Sequence, residues 1–286
     1  MADYIGEDVG NIVSLEHINL QVPDQARAIL FYIVGLGLTR DPYLNVGLGN
    51  MWANIGEQQL HLPTRDPQRI AGHIGLVLPE LDTLRERLSA VELSLKETQF
   101  SWSTSADHVT ITCPWGNEFR CYAAAPGFGD MAQGIAYVEF TVPEGAAAAI
   151  ARFYQNVLEA PARVEKDSLK PVTEVLIGRN QRLCFRESAE PAVPYDGHHI
   201  AIYVANFSRP YHFLNTHGLI AEEVRNHQFR FRSIVDPDTE RVVFLLEHEV
   251  RSLHHPMFHR HFVNRDPAQS QRSYNRGRDA LIPFRR

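Results

Sequence analysis

Residues 15–24 read Leu-Glu-His-Ile-Asn-Leu-Gln-Val-Pro-Asp, and the alternation in that stretch decides the fold. Ile18, Leu20 and Val22 fall on one face of an extended chain, and His17, Asn19 and Gln21 fall on the other. That is the period of two of a half-buried strand. Pro23-Asp24 ends the strand, and Asp24 suits a helix N-cap. Ala26, Ile29, Leu30 and Ile33 then recur at helical spacing as far as Gly35. The same opening appears three more times, as GHIGLVLPEL (72–81), AYVEFTVPEG (136–145) and HHIAIYVANF (198–207). Ile74, Leu76 and Leu78 follow His73 on an apolar face. Val138, Phe140 and Val142 follow Tyr137, and Ile200, Ile202 and Val204 follow His199.

Each opening leads into a helix and then three short strands. The last strands are predicted at QQLHLP (58–63), NEFRCYA (117–123), QRLCFRE (181–187) and ERVVFLLE (240–247). Phe31-Tyr32 recurs as Phe153-Tyr154, and Gly218 reads as a helix C-cap. The chain is therefore four βαβββ modules. His17 to Tyr137 is 120 residues and His73 to His199 is 126, so two halves of two modules repeat. This reading gives an N-terminal domain at 13–125, an Ala/Gly/Pro-rich linker at Ala123–Gln133, a C-terminal domain at 134–250 and a basic His/Arg-rich tail at 251–286. A lone βαβββ unit cannot bury its sheet, so modules must pair. The expectation is an α+β protein in which each half closes into an open cup, an eight-stranded mixed β-sheet with helices outside.

The 286 residues suit one large or two ordinary domains. A hydrophobic share of 44 % excludes a disordered or collagen-like chain. Three Cys are too few for a disulfide framework and fit a reducing, cytoplasmic setting. No apolar run is long enough to span a bilayer, and the acidic opening MADYIGEDVGN is not expected to be a signal peptide. The net charge is −6, but residues 251–286 hold eight Arg against two Asp, leaving about −12 on the body. An acidic body is not expected to bind nucleic acid.

With helices covering the apolar face, the polar face points into the cup. His17 opens module one, His61 sits on its last strand between Leu60 and Leu62, and His73 opens module two. If the first two modules pair, these imidazoles meet and can bind a divalent metal with open positions for water or substrate. The plainer alternative is a water-filled polar cup that takes an organic ligand without metal.

These features resemble the vicinal oxygen chelate superfamily, which includes glyoxalase I, bleomycin-resistance proteins and extradiol ring-cleaving dioxygenases. The resemblance rests on His17 in LEHINLQVPD, on FYIVGLGL at 31–38, on HIGLVLP at 73–79 and on CPWGNEFRC at 113–121, and it covers residues 13 to about 250. It implies metal ligands on the first and last strands of paired modules. Carried over, those positions are His17, His61, His73 and Arg120 in the first half, and Tyr137, Cys184, His199 and Val243 in the second. Arg120 stands where the family usually has Glu. It stays protonated and cannot ligate, but it can clamp an anion, with Glu118 two residues earlier on the same face. In the second half the expected Glu is Val243, Glu247 lies roughly 13 Å further along the strand, and Ser233 replaces the family's tyrosine.

The expected function is a metal-dependent, glyoxalase- or dioxygenase-like enzyme acting on a small, aromatic or anionic substrate with vicinal oxygens. His17, His61 and His73 would hold Fe(II) in the first instance, with Zn(II), Ni(II) or Mn(II) as alternatives. Arg120 and Glu118 would be catalytic, and Tyr137, His199 and Tyr203 would bind substrate. One alternative is a metal-free, bleomycin-resistance-like binding protein. Another is an assembly protein acting through the tail, whose His254, His255, His259 and His261 form a weak metal-binding pattern. A homo-oligomer is compatible with either.

Overall fold

The computed structural model describes residues 7–41, 49–166, 170–191, 193–224 and 227–260. Four modules are present. The first comprises β1 (Ile12–Asn19), α1 (Gln25–Ala28) running on as a π-helix over Ile29–Gly35, β2 (Thr39–Arg40), β3 (Asn50–Ile55) and β4 (Gln58–Pro63). The second comprises β5 (Gly72–Val77), α2 (Leu81–Leu95), β6 (Ser101–Thr104), β7 (His108–Thr112) and β8 (Glu118–Tyr122). The third comprises β9 (Gly134–Pro143), α3 (Ala147–Asn156), β10 (Ala162–Lys166), β11 (Pro171–Leu176) and β12 (Arg182–Ser188). The fourth comprises β13 (His199–Val204), α4 (Ser208–Thr216), β14 (Ile220–Val224), β15 (Gln228–Val235) and β16 (Val242–Ser252).

Local chemistry explains the elements. The Asp24 carboxylate accepts hydrogen bonds from the Ala26 and Arg27 amides at 2.8 and 3.1 Å, capping α1. Gly218 has φ +64° just past α4, the left-handed conformation of a helix C-cap. The repeated Phe-Tyr pairs are wholly buried at Phe31, Tyr32, Phe153 and Tyr154. Each such ring contributes roughly 1.5–3 kcal/mol of burial. Among the described residues no helix is long and apolar enough to cross a membrane.

The α+β class and the two eight-stranded mixed sheets are as expected, but the modules pair differently. One sheet has the order β14-β15-β16-β13-β1-β4-β3-β2, and the other β10-β11-β12-β9-β5-β8-β7-β6. Module one therefore joins module four, and module two joins module three. Neither the 13–125 half nor the 134–250 half forms a cup by itself. Strand β5 carries glycine at two places where its partner β9 presses close. A Cβ on Gly72 would stand 1.9 Å from the Glu139 carbonyl oxygen, and one on Gly75 would stand 2.1 Å from the Tyr137 ring. β1 has no glycine and pairs antiparallel with β13, with Ile18 opposite Ile200 and Asn19 opposite His199. Side-chain amides tie the sheets together. Gln58 Oε1 accepts from the Ile135 amide at 3.1 Å, and Gln181 Oε1 accepts from the Leu15 amide at 3.0 Å.

The final strand also departs from expectation. β16 runs to Ser252, five residues past the predicted end at Glu247, and pairs in parallel with β13 only over Glu247–Ser252. Val243 lies outside that paired stretch.

Candidate metal centre

The first cup gathers imidazoles from β1, β4 and β13 and carboxylates from β16. Strand β1 is not regular there. Leu15 pairs with Ile202 and His17 with Ala201, so two steps on β1 match one on β13 and Glu16 is extra. Such a bulge re-aims side chains. Here Glu16 and His17 become neighbours, and the Glu16 carboxylate hydrogen-bonds His17 Nδ1. The His17 ring lies 5.9 Å from the His61 ring and 5.6 Å from the His199 ring, centroid to centroid. His61 stacks on Trp52 at 3.9 Å, and its Nε2 bonds Asn50 Oδ1 at 2.9 Å.

Parallel pairing identifies the fourth position. On β4 His61 stands opposite Asn19, two residues beyond His17. On β16 Glu249 stands opposite Ala201, two residues beyond His199. Glu249, not Val243, thus occupies the last-strand place. Ligating atoms of His17, His199 and Glu249 all lie within 4.8 Å of one another. Nε2 of His17 and Nε2 of His199 are buried and have no hydrogen-bond partner.

The charges around this group are ordered. Buried Arg251 bonds Glu16 Oε2 at 2.9 Å and Glu249 Oε1 at 2.6 Å. Arg230 bonds Glu249 and also Glu247 Oε1, the latter at 3.0 Å. Burial would raise the Glu16 carboxyl, but Arg251 and His17 outweigh it and hold it down at about 2. Glu249 is likewise held well below the usual carboxylate range, by Arg251, His17 and Arg230 against the effect of burial. Burial, reinforced by His17, pushes His61 down to about 3, and burial pushes His199 down as well. Neutral imidazoles and ionised carboxylates are the protonation states a metal requires. An imidazole with Nδ1 held by a carboxylate and Nε2 free is a metal ligand with its supporting partner in place. The residues therefore fit a divalent ion.

The chain after β16 crosses this cup. Phe258 packs on Tyr203 at 4.9 Å, and Arg260 reaches buried Asp41 at 2.6 Å, which also accepts from Gln59 at 2.8 Å. A cavity of about 400 Å³ remains between Glu16, Tyr203 and Met257–Arg260. Of the tail histidines, His255 is buried and pushed down to about 3 by burial, with Arg251 reinforcing. His254, His255 and His259 join no ligand group among the described residues, and His261 with the rest of 261–286 lies outside them.

The second cup is different. His73 sits there and does not meet His17 and His61, because module two pairs with module three. His73 Nε2 bonds the Tyr137 hydroxyl at 3.0 Å, and that hydroxyl bonds Tyr122 at 2.9 Å. Tyr137 lies over Gly75, whose missing side chain makes the room. Arg120 is bonded to Glu118 at 3.0 Å, and Arg186 is bonded twice to Glu139, at 3.0 and 3.1 Å. The expected catalytic pair Arg120 and Glu118 is thus a half-exposed ion pair on the sheet away from the imidazole cluster. Cys184 is buried, and burial pushes its thiol up to about 12. Of the three residues expected to bind substrate, His199 and Tyr203 lie in the first cup and Tyr137 in the second.

Sequence reasoning missed Glu249, Glu16 and Trp52. The signal for Glu249 was present: Glu247, Glu249 and Arg251 alternate with Leu246, His248 and Val250. A bulge conceals it, since Phe231 pairs with His248 but Ser233 with Leu245.

No protein-family model and no curated protein matches the sequence. Solved structures do. A Bacillus subtilis protein described as a presumed dioxygenase matches with TM-score 0.59 and 13 % identity over 96 % of this chain and 92 % of its own. Glyoxalase I from Zea mays matches with TM-score 0.60 and 14 % identity over 88 % of this chain and 95 % of its own. At these identities the likeness establishes the fold, which is that of the vicinal oxygen chelate proteins the sequence resembles.

Proposed function

We propose that the protein is a metal-dependent enzyme whose centre is His17, His199 and Glu249, with His61 beside it. The observation that carries this reading is the pair of buried, unpartnered Nε2 atoms of His17 and His199 facing an ionised Glu249. Two imidazoles and one carboxylate with open positions suit Fe(II), with Zn(II), Ni(II) or Mn(II) as alternatives. Such an ion is a Lewis acid that lowers the pKa of a coordinated substrate oxygen.

The chain's own residues supply the rest. Glu16 hydrogen-bonds His17 Nδ1, and with the ring neutral and its proton there, Nε2 would be the donor lone pair. Arg251 keeps Glu16 and Glu249 ionised and fixes their orientation. Trp52 and His61 present a flat stacked wall against which a planar substrate can lie. The substrate class is a small molecule with two adjacent oxygens, and the reaction is ring-cleaving oxygenation or isomerase chemistry. Proteins of similar fold are named as a dioxygenase and as glyoxalase I. Three buried free thiols are in keeping with a reducing compartment such as the cytoplasm.

Metal analysis of protein purified without an affinity tag tests the reading. One equivalent of metal, lost in His17→Ala and in Glu249→Gln, supports it. A folded protein with no metal and no affinity for added Fe(II) or Zn(II) overturns it and leaves a metal-free binding protein. Oxygen uptake with simple catechols then separates oxygenation from isomerisation.

A further inference from the structure

A second cleft, of about 230 Å³, opens where the two sheets meet, and none of His17, His61, His199 or Glu249 lines it. Its walls include Phe140 from β9, Val243 and Phe244 from β16, and Pro194 from the loop before β13. Val193, Val242 and Leu245 line it too, and they are three of the eight large hydrophobics exposed among the described residues. Exposed apolar side chains scattered singly need no explanation, whereas these three cluster around one cleft.

One buried polar group lines this apolar space. His198 is 7 % exposed, and its Nδ1 lies 2.7 Å from Asp196 Oδ1. The same carboxylate accepts from the backbone amides of Arg69 at 2.5 Å and His198 at 3.1 Å, so it is fixed in place. A carboxylate accepts, so Nδ1 carries a proton, and in the neutral ring Nε2 is then an acceptor. Nε2 is buried without a hydrogen-bond partner. A buried acceptor with no donor is costly, and a ligand that brings a donor relieves that cost.

We propose that this cleft binds a small phenol, with its ring against the edge-packed Phe140 and Phe244 and its hydroxyl paired with His198 Nε2. The walls accept an aromatic ring. The orphan nitrogen can pair with a hydroxyl, and among the described residues the cleft's lining has no carboxylate to compete for it. The site stands whether or not the His17 cluster holds a metal.

The test titrates the full chain with p-cresol and with toluene and follows the His198 ring and Val243 methyl resonances by NMR. Saturable p-cresol shifts at those residues, with toluene roughly tenfold weaker or more, are expected from one buried hydrogen bond. His198→Phe keeps the stacking on Phe140 and should abolish the preference. His17→Ala should leave it intact. Val243→Trp fills the cleft and should remove binding of both ligands, which keeps the test decisive if His198→Phe fails to fold. Shifts that map to Trp52 and His17 instead, or equal binding of the two ligands by the native chain, overturn the proposal.

Discussion

The two cups are made from one module used four times, yet one leaves donor atoms unpaired and the other pairs its own. In the first, His17 and His199 each keep a buried Nε2 without a partner beside Glu249. In the second, the equivalent space is taken by Tyr137, whose hydroxyl joins His73 to Tyr122, and Arg120 and Arg186 are each bonded to a glutamate. The difference comes down to a few positions. Glu249 faces the imidazoles in one cup, where Arg120 and Cys184 stand on the last strands of the other. Gly75 admits a tyrosine ring where β1 has no glycine. A sheet scaffold thus keeps its shape while the chemistry of its concave face is gained or lost residue by residue.

The largest effect should come from removing a ligand. His17→Ala or Glu249→Gln should weaken metal binding by more than the roughly 100-fold that loss of a supporting partner costs. His73→Ala should leave it unchanged, as read by metal titration. Equal losses from both cups would erase the distinction. Next, Glu16→Gln should weaken metal binding roughly 10- to 100-fold without removing the site, because His17 and His199 remain.

The second cup responds to shape rather than charge. Gly75→Ala should destabilise the fold by about 1–3 kcal/mol through overpacking against Tyr137, with metal binding retained, and Tyr137→Leu in the same chain should restore part of the loss. Urea titration measures both.

Acid should act on the sheet of the first cup first. His248, on that sheet's other face, is pushed down to about 4 by burial, from an ordinary value of about 6.5. Between those values the unfolded chain binds a proton that the folded one does not, so stability falls as pH drops below about 6.5. From pH 7 to pH 5 this histidine alone should cost about 2 kcal/mol at 1.36 kcal/mol per pH unit. His61, His199 and His255 add in the same direction. Hydrogen exchange at pH 5 should quicken in β13 and β16 before β5 and β9. The smallest effect belongs to Arg120→Ala. Its ion pair with Glu118 is more than a third exposed, so about 0–1 kcal/mol is expected.

Much of this was legible in the residues. Alternation located the strands, Asp24 and Gly218 marked helix ends, and His17, His61 and His199 were placed on a polar face. The choice of module partner was not legible, because all four opening strands carry the same pattern and any two satisfy it equally. Gly72 and Gly75 make room for β9 against β5, and which strands approach so closely is a tertiary property. Glu249 was hidden for a related reason. A repeat aligned by its apolar residues places the last strand one bulge too early, and a bulge shifts which residues face inward. Glu16 shares the parity of Ile18 and Leu20 in the sequence, and the other bulge brings its carboxylate to His17.

Pairing the outermost modules has a cost during synthesis. Glu16 and Arg251 are 235 positions apart, whereas β5, β8 and β9 are close in the chain and can zip as they emerge. At roughly 5–20 residues per second, the edge of β1 that will meet β13 waits for on the order of ten to forty seconds. An apolar strand with one open edge is a target for unwanted pairing throughout that interval. The nascent chain should therefore be most vulnerable between completion of its first strand and arrival of its thirteenth, and the ligand set comes into being only when the last strand closes the sheet.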